Sequence, residues 1–140
     1  MKKINITFML VLVLASLLLS ACGSGAVPVT GGNEKPVQLE DIEGSELKRV
    51  ILTEKAAQRI DVQTVKVASR LDSGVTRDVV PYAAVIYDIE GNTWVYTNPA
   101  PLTYVREQIT VDHIDGDTVV LSKKMRSTAP VVIVGVAEIY

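Results

Sequence analysis

Val80 to Asn98 reads VPYAAVIYDIEGNTWVYTN, and its pattern decides the fold class. Ala83, Val85 and Tyr87 alternate with Ala84, Ile86 and Asp88. Beyond the polar centre, Trp94 and Tyr96 alternate with Val95 and Thr97. That is the period-two signature of pleated strands. Between the two runs lies DIEGN, in which Gly91 and Asn92 accept positive φ at little steric cost. The stretch therefore predicts a hairpin of two strands joined by a tight turn. It also holds the only Trp and three of the five Tyr residues, large side chains that anchor a small core.

Outward from this hairpin, strand patterns alternate with turn signals. On the N-terminal side, Val50, Ile51 and Leu52 form an apolar run. Thr53 is placed to cap a short helix through Gln58, with Glu54 near its positive end. Asp61 to Ala68 alternates strictly, Arg70 to Gly74 reads as a loop, and Val75 to Val80 leads into the hairpin, with Pro81 at a strand start or edge. On the C-terminal side, Asn98 to Pro101 (NPAP) is expected to interrupt the sheet and Leu102 to His113 to resume it. Asp115-Gly116 lies between alternating runs, a hairpin signal. Lys123 to Pro130 loops, and Val131 to Val136 closes the chain as a strand buried on both faces except at Gly135. The expectation is a mainly β fold, a small barrel or sandwich-like domain of six or seven mostly antiparallel strands with one short helix.

The N-terminal third has a different character. Lys2 and Lys3 precede the apolar run Phe8 to Leu19, and small residues follow, the layout of a secretory signal peptide over residues 1–21. The run is short against the roughly 20 apolar residues of a spanning helix. Leu19, Ser20, Ala21 and Cys22 resemble the lipobox of bacterial lipoproteins, which implies cleavage before Cys22 and acylation of its thiol. The protein would then sit on the extracytoplasmic side of a membrane, held by lipid. With the only cysteine so used, no disulfide is expected. Residues 22–46, rich in Gly, Pro, Ser and acids, read as a flexible tether, and 47–140 as one domain.

Charge and side-chain chemistry exclude several classes. Without residues 1–21 the chain carries twelve basic and sixteen acidic side chains, so nucleic acid is not an expected partner. His113 is the sole histidine. It adjoins Asp112 on a predicted strand, where neighbours point to opposite faces, so Asp112 is not expected to orient it for catalysis. One histidine leaves no transition-metal ligand set, and Asp115, Gly116 and Asp117 do not extend into a calcium loop. No cofactor, metal or enzymatic activity is expected. Tyr82, Trp94, Tyr96 and Tyr104 could line a groove for a ligand or partner, although aromatic core packing is the stronger reading. A homo-oligomer is compatible with the chain.

VVPYAAVIYDIEGNTWVYT (Val79–Thr97) resembles a segment of the membrane-proximal domain in the periplasmic adaptor, or membrane fusion, proteins of RND-type efflux pumps. REQITVDHIDGDTVVLS is similar to that family's next hairpin, VVIVGVAEIY to its closing strand, and VILTEKAAQRIDVQTVKV to its first strand and short helix. The resemblance spans Val50 to Tyr140 and implies a non-enzymatic module that docks on a membrane transporter and supports transmembrane transport. Two departures stand against it. Complete adaptors place a barrel, a lipoyl-like domain and a helical hairpin where only Ser69 to Asp78 lies here, and Lys124, Met125 and Thr128 replace a glycine-containing loop. A free-standing lipoprotein binding a small ligand or glycan is the alternative, and a remnant of a full adaptor a third reading.

Overall fold

The computed structural model describes residues 35–140. The expected signal peptide, the lipobox-like stretch with Cys22 and the first part of the expected tether lie outside the described residues. The remainder is mainly β: eleven strands in two antiparallel sheets, with two short helices and one 3₁₀ turn. The expected six or seven strands and single helix undercount it. Several runs that read as one strand are divided between the sheets.

In chain order the strands are β1 (Val37–Asp41), β2 (Lys48–Leu52), β3 (Gln63–Val65), β4 (Ala68–Asp72), β5 (Val75–Pro81), β6 (Ile86–Tyr87), β7 (Thr93–Ala100), β8 (Thr103–Ile109), β9 (Val111–Asp115), β10 (Thr118–Leu121) and β11 (Val131–Val134). Helix α1 (Glu54–Arg59) follows β2 and α2 (Val136–Ile139) follows β11. The large sheet has the order β1-β2-β8-β7-β11-β3, with β6 also on β7; the small sheet has the order β4-β5-β10-β9. The sheets do not join edge to edge, so the architecture is sandwich-like and not a closed barrel.

Alternation along the central strands gives the large sheet two buried faces. Val95 of β7, Ile109 of β8 and Val131 of β11 face the small sheet, where they meet Val80, Val119 and Leu121, with Ala84 beneath the 3₁₀ turn. Tyr96, Tyr104 and Val132 point the other way, with Val50 and Leu52, and are covered by Ala56, Ala57 and Ile60 around α1 and by Val136 and Ile139 of α2. The expectation that the last strand is buried on both faces holds for Val131 and Val132, each fully buried on opposite sides. The strand stops earlier than expected: Gly135 adopts φ 79°, and the chain turns into α2.

The chain changes sheets at places where its alternation continues. Asp61 to Ala68 does not form one strand: β3 joins the large sheet and β4 the small one, although Val65 and Val67 both reach the core between the sheets. Leu102 to His113 divides in the same way at Thr110 into β8 and β9. The opening hairpin is divided too. β5 ends at Pro81, which has no N–H for a further ladder bond, and a 3₁₀ turn of Tyr82–Ala84 carries the chain across. Only Ile86 and Tyr87 then pair with β7, opposite Trp94 and Thr93.

Three smaller differences have local causes. Arg70 to Asp72 extend β4, leaving only Ser73 and Gly74, at φ 49° and 83°, as the turn to β5, the conformation that suits a two-residue hairpin. The prolines of Asn98–Pro101 do not end β7, which runs through Ala100. The register shifts between Thr97 and Ala100, and Asn98 Nδ2 donates to Ala100 O at 2.7 Å and Thr103 O at 2.9 Å. Part of the expected tether is β1. Its five residues are all exposed, so it shows no apolar contrast, yet it zips onto β2 from Val37↔Leu52 to Asp41↔Lys48. The Lys48–Asp41 and Arg49–Glu40 pairs, at 2.7 and 3.2 Å, fasten its end. The capping expectation holds: Thr53 Oγ1 accepts from Ala56 N–H at 3.2 Å.

Candidate docking face

Of the four aromatics singled out above, two are not on the surface. Tyr96 and Tyr104 are 5% and 4% exposed and belong to the core under α1 and α2, so neither can line a groove. The Tyr96 hydroxyl donates to Ile139 O at 3.2 Å, tying β7 to α2. Burial raises both phenols above their ordinary pKa of 10. Alternation placed these two rings on the face that the helices cover, which sequence alone could not tell from an open one.

Trp94 is half-buried and its polar handle is used. Its Nε1–H donates to Asp88 Oδ2 at 2.9 Å, and the Arg106 guanidinium lies 4.4 Å from the ring centroid. Arg106 also lies 5.7 Å from the Tyr140 ring, so one cation bridges two aromatics. Asp88 organises the turn that follows β6. Its Oδ1 accepts from Glu90 N–H at 3.1 Å and Asn92 N–H at 2.7 Å, and its Oδ2 also accepts from Asn92 Nδ2 at 2.9 Å. Partial desolvation pushes this carboxyl up, but the donors of Trp94, Asn92 and Glu90 together outweigh it and bring its pKa from 3.8 to about 2. A depressed folded-state pKa means that these bonds stabilise the turn at pH values above the unfolded carboxylate range and are lost as pH falls through about 2. An acid titration followed by Trp94 fluorescence is therefore expected to show a transition near pH 2 that Asp88→Asn abolishes, while global unfolding is monitored separately by circular dichroism.

Three exposed tyrosines belong to the elements around this turn. Tyr82 on the 3₁₀ turn and Tyr87 on β6 are about half exposed, and Tyr140 follows α2 with 57% of its surface open. Loss of hydration, then the neighbouring Tyr82 phenol, push the Tyr87 hydroxyl above 10. Between Tyr87 and Tyr140, with Tyr82 beside Tyr87, runs a shallow groove of about 440 Å³, lined by Ala83, Val85, Ile86, Tyr87, Val136, Ala137 and Tyr140. Its walls come from two segments distant in the chain, residues 83–87 and 136–140, held together because Ile86 and Val136 also pack into the core below. Tyr82 is thus the one aromatic of the original four with a free, exposed position. Tyr87 was legible only as a strand residue, and α2 was not anticipated, so the remainder of the face was missed.

A second cluster lies on the small sheet. Arg77 of β5 stands between Asp72 of β4 and Asp112 of β9, at 3.5 and 3.6 Å, and Asp112 Oδ2 contacts His113 Nδ1 at 2.9 Å. The expectation that Asp112 and His113 point apart is wrong. The β9–β10 register steps from Val120↔His113 to Leu121↔Val111, so β9 is bulged at Asp112 and the strict alternation that would send the two side chains to opposite faces is broken there. The His113 contact, opposed by desolvation and assisted by Arg77, holds the Asp112 carboxyl below 3.8. Asp72, Asp112 and His113 each offer a ligand atom within 4.8 Å of the others. The guanidinium of Arg77 already neutralises this space and would repel a divalent ion, and the cluster contains no hydroxyl or thiol nucleophile. It acts as an ionic brace across three strands.

Asp115 completes the hairpin turn as expected and pairs with Arg70 at 2.9 Å. Among the described residues, no helix is long and apolar enough to cross a membrane. Searches of protein-family models, curated proteins and solved structures yield no match to this chain.

Proposed function

We propose that this chain is a lipid-anchored, extracytoplasmic, non-enzymatic module that docks on a membrane transporter, in the manner of the membrane-proximal domain of an efflux adaptor. The observation that carries this reading is the apolar face of Tyr82, Tyr87 and Tyr140 around a 440 Å³ groove. A shallow groove with exposed tyrosines at its rim suits a protein partner, since tyrosine supplies a large contact area at low entropic cost. The lipobox at Leu19–Cys22 and the segment leading to β1 supply the anchor, and the resemblance over Val50–Tyr140 supplies the class of partner.

The glycan-binding alternative depends on four open aromatics. It loses Tyr96 and Tyr104 to the core, and the indole N–H and one face of Trp94 to Asp88 and Arg106.

Purification of the native protein from membranes in mild detergent, followed by mass spectrometry, is expected to recover a transport component. Tyr87→Asp should reduce that recovery by roughly 30-fold or more, the size of an interface hot spot, without altering thermal unfolding. Reproducible recovery of the native protein with no transporter component would overturn the reading.

A further inference from the structure

The most exposed large apolar side chain among the described residues is Ile89, at 98%. It is not on a loose loop. Asp88, just before it, accepts from Glu90 N–H and Asn92 N–H, just after it; Gly91 N–H donates to Asp88 O at 3.0 Å, and Asp88 N–H donates to Asn92 O at 3.0 Å. The turn is closed and braced, and Ile89 projects from its tip. A rigid apolar knob in water is costly to keep and of no use to either core.

The register places a second unusual feature at the same end of the large sheet. Thr93, the first residue after the turn, pairs with Tyr87 on one side and with Ile109 on the other. Ile109 is the last residue of β8, and the loop after β10 returns there, with Ser122 N–H donating to Thr110 O at 2.9 Å. This loop carries Lys123, Lys124 and Arg126, all exposed, and among the described residues none of the three is in an ion pair. Its backbone is held from below. Met125 packs into the inter-sheet core and its N–H donates to Asp78 Oδ2 at 3.0 Å. The buried Glu107 carboxylate accepts from Arg126 N–H at 2.6 Å and from Ser127 N–H at 3.2 Å. Two carboxylates thus bind the loop through its backbone and leave its cationic side chains free. A groove of about 450 Å³ lies between this loop and the end of β8.

We infer that this end of the molecule, with Ile89 at its tip and Lys123, Lys124 and Arg126 beside it, docks on the surface of an anionic phospholipid bilayer. An apolar protrusion next to clustered cations matches an interface in which headgroup phosphates lie over hydrocarbon. A bilayer accepts a protrusion without a preformed recess. Nucleic acid is a poor match, because the cations form one short loop beside an apolar tip and not a stripe. Of the four carboxylates at this end, Asp88 is engaged by the donors of its turn and Asp78 and Glu107 by the backbone N–H groups of the loop, so Glu90, exposed beside Ile89, is the one left unengaged to oppose the three free cations. The surface differs from the tyrosine-lined groove and requires neither a transporter nor an acyl chain.

The test uses the full chain with Cys22→Ser and Ile89→Cys, labelled at position 89 with an environment-sensitive fluorophore. Vesicles of phosphatidylcholine alone are compared with vesicles containing 30% phosphatidylglycerol (a composition set on the order of common anionic membranes). Any contribution of the apolar N-terminal segment is shared by both. The label is expected to move into an apolar environment with the anionic vesicles only. Three cations correspond to roughly a 100-fold difference in partition at low salt, which fades as salt shortens the screening length.

Lys123→Glu, Lys124→Glu and Arg126→Glu combined should abolish the effect while leaving thermal unfolding unchanged, and Glu90→Lys should enhance it. In the unlabelled native chain, anionic vesicles should slow acetylation of Lys123 and Lys124. A label that stays aqueous with both vesicles, or that responds equally to both regardless of salt and of the loop charges, overturns the inference. So does recovery of a transporter with no vesicle effect, which leaves the docking function standing by itself.

Discussion

Leu121→Ala is expected to cost about 2–5 kcal/mol of stability, the range for deleting a fully buried leucine where the surroundings relax only in part. Leu121 is 1% exposed, is the last residue of β10, and faces Val95, Ile109 and Val131 of the opposite sheet. The core it fills is mostly valine, with Val80, Val95, Val119 and Val131 around it. Branched side chains on pleated backbones have few rotamers, so they cannot swing into the space a missing leucine leaves. Since a domain of this size has a total stability of only about 5–15 kcal/mol, the loss is a large fraction of it. Denaturant unfolding should show a lowered midpoint with an unchanged slope. A cost under about 1 kcal/mol would mean that the two sheets close up more freely than their packing implies.

Gly135→Ala should also destabilise the fold, and a glycine elsewhere supplies the control. Gly135 has φ 79°, which costs an L-residue about 1–2 kcal/mol. A Cβ there would in addition lie 3.1 Å from Ile60 O and 3.3 Å from Val62 Cγ2. The first contact is with backbone, which cannot rotate away. At Gly74, with φ 83°, a Cβ meets nothing within 4 Å. Gly74→Ala therefore carries the conformational cost alone, and the difference in unfolding free energy between the two variants reads the crowding directly. Equal effects would show that the approach of α2 to the segment after α1 is loose.

The sequence made some features plain because their cause is local. The Thr53 cap, the two-residue turn after Asp115 and the reversal at Gly91 each depend on one or two residues whose chemistry permits little else. The division into two sheets was hidden for the opposite reason. Period two reports which side chains are apolar but not which sheet a strand joins, and the pattern passes unbroken through Lys66 and Thr110 where the chain crosses over. β1 was hidden because an edge strand with five exposed residues resembles a linker until its partner is known. The docking face suffered from both. Tyr96 and Tyr104 looked as available as Tyr82, and only the positions of α1 and α2 separate covered rings from open ones.

The position of β1 has a mechanical meaning. It is an edge strand of the large sheet and the first of the described strands in the chain, so a load applied at the N-terminal end of the described residues reaches it before any other strand. Nothing of β1 is buried, and what holds it is one ladder and two surface ion pairs, each worth at most about 1 kcal/mol. The cores lie on the far side of the β1–β2 ladder. Under load β1 would peel away and add about 17 Å of slack, leaving β2 as the new edge and both cores intact. Loaded from its N-terminal end, the domain has an edge that yields before the fold does and closes again when the strain is gone.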